Sequence, residues 1–151
     1  MTVAITSTAL SAGARAQAHT NNLDARGGRL EGFYRRLHHH DGGRFITRDQ
    51  LAKKGHQSLG EILKGVPGVN AMRLRSGTGV LRLRGESCRP TVWLDGMPML
   101  AAEVDLDAME PGSFQGIEIY PGPASTPIEL TTPGGSLCGT IALWSRDPSD
   151  M

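Results

Sequence analysis

A chain of 151 residues fits one domain and can bury roughly 70% of the surface its unfolded form exposes. Its formal net charge of +1, with no lysine-rich run, excludes the basic field on which nucleic-acid binding depends. Twenty glycines and nine prolines favour short strands over long helices, and no apolar run approaches the ~18 residues of a membrane-spanning helix.

In chain order, residues 1–22 read as the remnant of an export signal or a disordered leader. Thr2 to Ala12 is small and mildly apolar, and Ala16-Gln17-Ala18 before His19 fits a small-residue cleavage site. Residues 23–43 form an N-terminal helical segment. Leu30, Phe33, Tyr34 and Leu37 sit at helical spacing on one apolar stripe, Arg29, Arg35 and Arg36 lie off it, and Gly42-Gly43 is a stop signal. His38-His39-His40 reads as a solvated helix end. Adjacent helical residues point in different directions, and no acidic or cysteine ligand recurs nearby at metal spacing.

Residues 44–147 carry the main domain, and 148–151 a tail. Phe45-Ile46-Thr47 is a short strand, with Thr47 placed to cap the helix after it. Ser58 and Glu61 form a capping box for a helix whose stripe is Leu59, Ile62, Leu63 and Val66, stopped by Pro67-Gly68. Val69 to Arg75 is a strand, Ser76 to Gly79 a turn, and Val80 to Arg84 alternates apolar and cationic residues. Thr91 to Leu94 is a further strand followed by the hairpin signal Asp95-Gly96. Val104 to Met109 reads as a short helical turn ended by Pro111-Gly112. Gln115 to Tyr120 alternates, with Ile117 and Ile119 on one face and Glu118 on the other. Pro121 to Pro127 is a rigid loop, and Gly139 to Trp144 the last strand. This order predicts an α+β fold, a small mixed β-sheet with short helices packed on it. The Leu59–Val66 stripe is expected to lie on a sheet face built from the strands at Val80, Thr91, Gln115 and Thr140.

Catalytic motifs are missing. There is no G-x-S-x-G elbow, no phosphate-binding glycine loop and no H-E-x-x-H. Asp105, Asp107 and Glu110 suit a helix N-terminus better than acid–base chemistry, and His56 has no partner in view. The reading is a non-enzymatic protein with no cofactor and no metal. The two cysteines, Cys88 and Cys138, each flank a strand and point to a disulfide clamp across a sheet, which needs an oxidising compartment. The alternative is two buried thiols.

Several segments together resemble a known family. Phe45-Ile46-Thr47-Arg48, Ser58-Leu59-Gly60-Glu61-Ile62-Leu63 and Val66-Pro67-Gly68-Val69 are similar to the opening of the plug domain of TonB-dependent outer-membrane receptors. Leu83-Arg84-Gly85, Val92-Trp93-Leu94-Asp95-Gly96-Met97-Pro98 and Ile117 to Ser125 resemble its later motifs, in the same order. The likeness covers about Gly43 to Arg146. It implies a plug fold, which in receptors sits inside a barrel that imports iron chelates, cobalamin or glycans. The sequence ends after Trp144-Ser145-Arg146-Asp147, where such a barrel would start, and no convincing TonB box precedes the plug.

The expectation is therefore a plug-like interaction module of the Gram-negative cell envelope, in the periplasm or at the periplasmic face of the outer membrane. The alternative is the plug component of a receptor whose barrel is a separate chain or has been lost, with transport belonging to the complex. Partners would be an outer-membrane barrel or another envelope protein. The resemblance places Arg84 against a barrel wall and Glu118 near the same cluster. Without a barrel, Arg82, Arg84 and Glu118 form a candidate docking face, exposed or paired with one another.

Overall fold

A computed structural model of the chain describes residues 28–39, 42–73, 79–83, 89–99, 104–133 and 137–147. Helix α1 (Glu31–His39) comes first, then strand β1 (Arg44–Thr47) and two short helices, α2 (Arg48–Ala52) and α3 (Leu59–Lys64). Strands β2 (Val69–Arg73), β3 (Gly79–Leu83), β4 (Thr91–Leu94), β5 (Met97–Met99), β6 (Phe114–Tyr120) and β7 (Thr140–Ser145) complete the fold.

Local chemistry sets these boundaries. Thr47 N–H donates to the Gln50 side chain at 2.9 Å as α2 begins. Ser58 Oγ accepts the Glu61 N–H at 3.3 Å while the Glu61 carboxylate accepts the Ser58 N–H at 3.3 Å, the reciprocal box expected of α3. Asp95 and Gly96 both have positive φ, 52° and 83°, as a tight two-residue hairpin between β4 and β5 requires.

Five strands form one mixed sheet in the order β1-β6-β7-β4-β5, with β4 and β7 parallel and the other pairs antiparallel. The strand at Val80 is not among them. It pairs with β2 in a separate two-stranded sheet, because a short local hairpin closes at less entropic cost than a distant pairing. Its Leu81 and Leu83 still reach the common core. The segment at Val104–Met109 also differs from expectation. It is a non-helical turn in which Asp105 Oδ1 accepts the Asp107 N–H at 3.1 Å, a side-chain bond that competes with helix. Pro111 opens a single 3-10 turn, Pro111–Ser113, instead of ending a helix.

Alternation splits the large sheet into two buried faces. Val92, Ile117, Ile119, Ile141 and Leu143 face α3, where Leu59, Ile62 and Leu63 are buried and Val66 is half-buried against them. Trp93, Tyr120, Ala142 and Trp144 point the other way, toward Leu30 and Phe33 of the α1 segment and Leu130 of a 3-10 turn. A bulge between Phe114 and Gly116 shifts the parity of β6, which puts Phe114 on the α3 side with Ile117.

Candidate functional site

The helix over the second face carries the least expected residue of the molecule. The apolar stripe of α1 is present, with Leu30 and Phe33 buried and Tyr34 and Leu37 half-buried. Arg36, which the spacing places off the stripe, is only 3% exposed. Its guanidinium turns onto the sheet and grips Glu118 with two parallel hydrogen bonds, Nε to Oε2 at 2.9 Å and Nη2 to Oε1 at 2.8 Å. Tyr120 Oη donates to the same Oε2. Glu118 is fully buried, so the three donors replace the water it lacks.

Two close approaches make this docking fit. Phe33 lies directly over Gly116 of β6, where any Cβ would collide with its ring, and Tyr120 lies against Gly43 in the same way. Phe33 also meets Trp144 and Phe45 with ring centres 6.4 and 6.3 Å apart, and the Arg36 guanidinium lies 5.6 Å from the Trp144 ring centre. Gln115 donates to Tyr34 Oη at 2.7 Å, which ties the outer side of the helix to β6.

The electrostatics describe a closed latch. Burial opposes the charged form of Arg36, yet the hydrogen bonds and charge of Glu118 outweigh it and hold the guanidinium above its usual range. Burial, then the bond to Glu118, pushes the Tyr120 phenol well above its ordinary value near 10. Tyr120 is therefore a neutral donor, and Arg36 a permanent cation. Beside the latch an open groove of about 510 Å³ is lined by Arg35, Arg36, Ser125, Thr126, Pro127 and Glu129. Both of its cations are already satisfied, Arg36 by Glu118 and Arg35 by Glu129 at 2.7 Å.

The structure separates the expected docking residues. Glu118 does not share an exposed face with Arg82; it is buried under α1 in the large sheet, while Arg82 is half-exposed on β3 of the small one. The alternating pattern of β6 had implied a solvent face, but both faces of that strand are covered. Leu81 and Leu83 are buried, as the arginine alternation requires, whereas Arg84 lies outside the described residues. Cys88 also lies outside them. Cys138 stands in the turn just before β7, and no free thiol occurs among the described residues. Residues 1–22 and His40 are likewise outside the description, while His38, His39 and His56 are exposed.

Two further carboxylates are committed to structure. Asp107 accepts the Ser58 hydroxyl at 2.9 Å, which anchors the start of α3 to the turn after Val104. Asp95 accepts the Ser145 N–H at 2.8 Å and hydroxyl at 2.5 Å, and pairs with Arg29 at 3.2 Å. The hairpin turn is thereby fixed to the end of β7. Sequence reasoning missed Arg36, Tyr120 and Asp95 as partners. No short-range signal pointed to the first, because the alternation of β6 does not show that its second face is covered.

The comparisons with known proteins agree with this architecture. A family model described as the TonB-dependent receptor plug domain matches residues 44–136, more than half of the chain. The chain belongs to the TonB-dependent receptor plug domain family. It is 29% identical over 110 residues to the ferrioxamine B receptor of Salmonella typhimurium strains LT2 and SL1344, a match covering 69% of this chain and 15% of the receptor. The fold is shared with a mutant ferric enterobactin receptor of Pseudomonas aeruginosa in complex with enterobactin, with a TM-score of 0.54 and 20% identity over 70% of this chain and 18% of that one. It is also shared with the siderophore receptor PirA from Acinetobacter baumannii, with a TM-score of 0.53 and 20% identity over 70% of this chain and 17% of that one. The chain thus spans less than a fifth of the length of these relatives. Helix α1 precedes residues 44–136, the span that the family model matches.

Proposed function

We propose that this chain acts as a non-enzymatic interaction module of plug fold, at the periplasmic face of the outer membrane or in the periplasm. In this reading α1 stands over a sheet face that would otherwise need a barrel wall to cover it. The observation that carries it is the latch: a helix outside the plug match buries Arg36 on Glu118 and closes the second face from within the same chain. A Cys88–Cys138 disulfide belongs to the same proposal, since an envelope protein meets an oxidising compartment. Arg82 and Arg84 remain as the docking face, with guanidinium groups suited to bidentate capture of partner carboxylates.

A second reading is favoured by the relatives, which are named as whole receptors. There the chain is the plug component of a receptor whose barrel is separate or lost, and transport belongs to the complex. A pull-down of the tagged chain from envelope extract separates the two. Recovery of non-barrel envelope proteins, lost in an Arg82→Ser/Arg84→Ser variant of unchanged thermal midpoint, supports the module. Recovery of a stoichiometric β-barrel overturns it in favour of the second reading.

A further inference from the structure

The outer edge of β1 combines three features that no part of the latch uses. We propose that it is a docking site for an extended segment of a partner protein, one in which an apolar side chain is flanked by acidic side chains two positions away on either side. The proposal rests on the reading that no barrel wall encloses the domain.

Backbone geometry comes first. β1 is an outer strand of the five-stranded sheet, laddered only to β6. Thr47 N–H turns outward to Gln50, so alternation along an antiparallel strand turns the N–H and C=O of Phe45 outward as well. No hydrogen bond among the described residues outside the ladder takes up either group. Such an edge is a template for one more strand. The opposite edge, β5, carries Pro98 at its centre, which removes a donor and blocks pairing. Among the described residues, one edge is protected and the other is left unpaired.

Shape and charge then select the guest. A groove of about 310 Å³ runs beside β1, with Phe45, Ile46, Ile62, Val66 and Pro67 among its lining residues. Arg44 and Lys54 line it too, both exposed, and neither takes part in an ion pair among the described residues. Arg44 and Ile46 share a strand face, that of the apolar shelf offered by Ile62 and Val66. A guest strand therefore presents one apolar residue to the shelf and acidic residues at its i−2 and i+2 positions to the cations. A second copy of this chain fits poorly, because edge-to-edge pairing brings two identical cationic rims together.

The test uses the full chain and a fluorescein-labelled heptapeptide, Ser-Glu-Gln-Ile-Gln-Glu-Ser, read by fluorescence anisotropy. Saturable binding is expected, at least about tenfold tighter than for the peptide with both glutamates replaced by lysine. An Arg44→Glu/Lys54→Glu variant, altered only at exposed side chains, is expected to reverse that preference. N-methylation of both glutamines, which removes the guest's edge-facing donors, the one to the Phe45 C=O among them, without touching the protein, is expected to abolish binding. Failure of the acidic peptide to bind, an unreversed preference in the variant, or undiminished binding of the methylated peptide each overturns the proposal. Self-association of the chain through this edge, seen by sedimentation and lost in the charge variant, overturns it in favour of a second copy. A barrel found by co-purification overturns the reading that leaves this edge accessible, whereas the peptide assay reads the edge in the isolated chain, so the two failures are told apart.

Discussion

The α3-facing side of the large sheet meets its neighbours through Val92, Ile117, Ile119, Ile141 and Leu143, with only apolar side chains in its buried cluster. The side facing α1 carries every buried polar or charged side chain among the described residues: Arg36, Glu118 and Thr140. Apolar burial is non-directional and roughly proportional to area, so the first face holds α2 and α3 without prescribing one arrangement atom by atom. The second face is held by a bidentate pair that is satisfied in one position and costly in any other, which fixes where α1 sits. One sheet thus uses two kinds of adhesion, and the directional kind falls on the helix that lies outside the family match.

Breaking the latch on one side is expected to have the largest effect. Arg36→Ala leaves Glu118 buried and unpaired, at a loss of about 3–5 kcal/mol in chemical denaturation. Replacing both partners together, as in Arg36→Met/Glu118→Met, is expected to recover most of that loss. If the double variant is no more stable than the single one, the pair is not what holds α1.

The proposed disulfide acts on both faces at once, because it constrains the unfolded chain. Closing a loop of about 50 residues is worth roughly 4 kcal/mol on the entropic account. Mass spectrometry of alkylated, unreduced protein from the periplasm is expected to show no free thiol, and two free thiols would exclude the bond. On the apolar face, Leu63→Ala removes a fully buried side chain and is expected to cost ~2–5 kcal/mol. Its cost should not fall as salt rises, unlike that of an exposed charged contact.

Tyr120→Phe sharpens the comparison with a smaller effect, about 1.5–3 kcal/mol for a lost hydrogen bond to a charged group. Its pH dependence is the more telling readout. The phenol of the folded state holds its proton more tightly than the unfolded one. Its contribution is therefore complete below about pH 10 and is lost as pH rises beyond, where only the unfolded chain ionises. Alkaline titration of stability should show this decline in the parent protein and a shallower one in Tyr120→Phe. Equal slopes would show that Tyr120 does not sense the latch.

The amino-acid sequence by itself determined the local elements and the family. Ser58 with Glu61, Asp95 with Gly96, and the Leu59–Val66 stripe are short-range signals, because capping, turn dihedrals and helical periodicity depend on residues a few positions apart. The ordered motifs from Phe45 to Ser125 carried the plug resemblance for the same reason. What only the tertiary structure decided was which surfaces meet. Arg36 and Glu118 are 82 residues apart, and neither periodicity nor composition encodes that a helix will cover the face on which Glu118 lies. A strand buried on one side and a strand buried on both can show the same alternation. Burial of a charge is settled by what is packed above it, so the solvent face expected of Glu118 became the centre of a core.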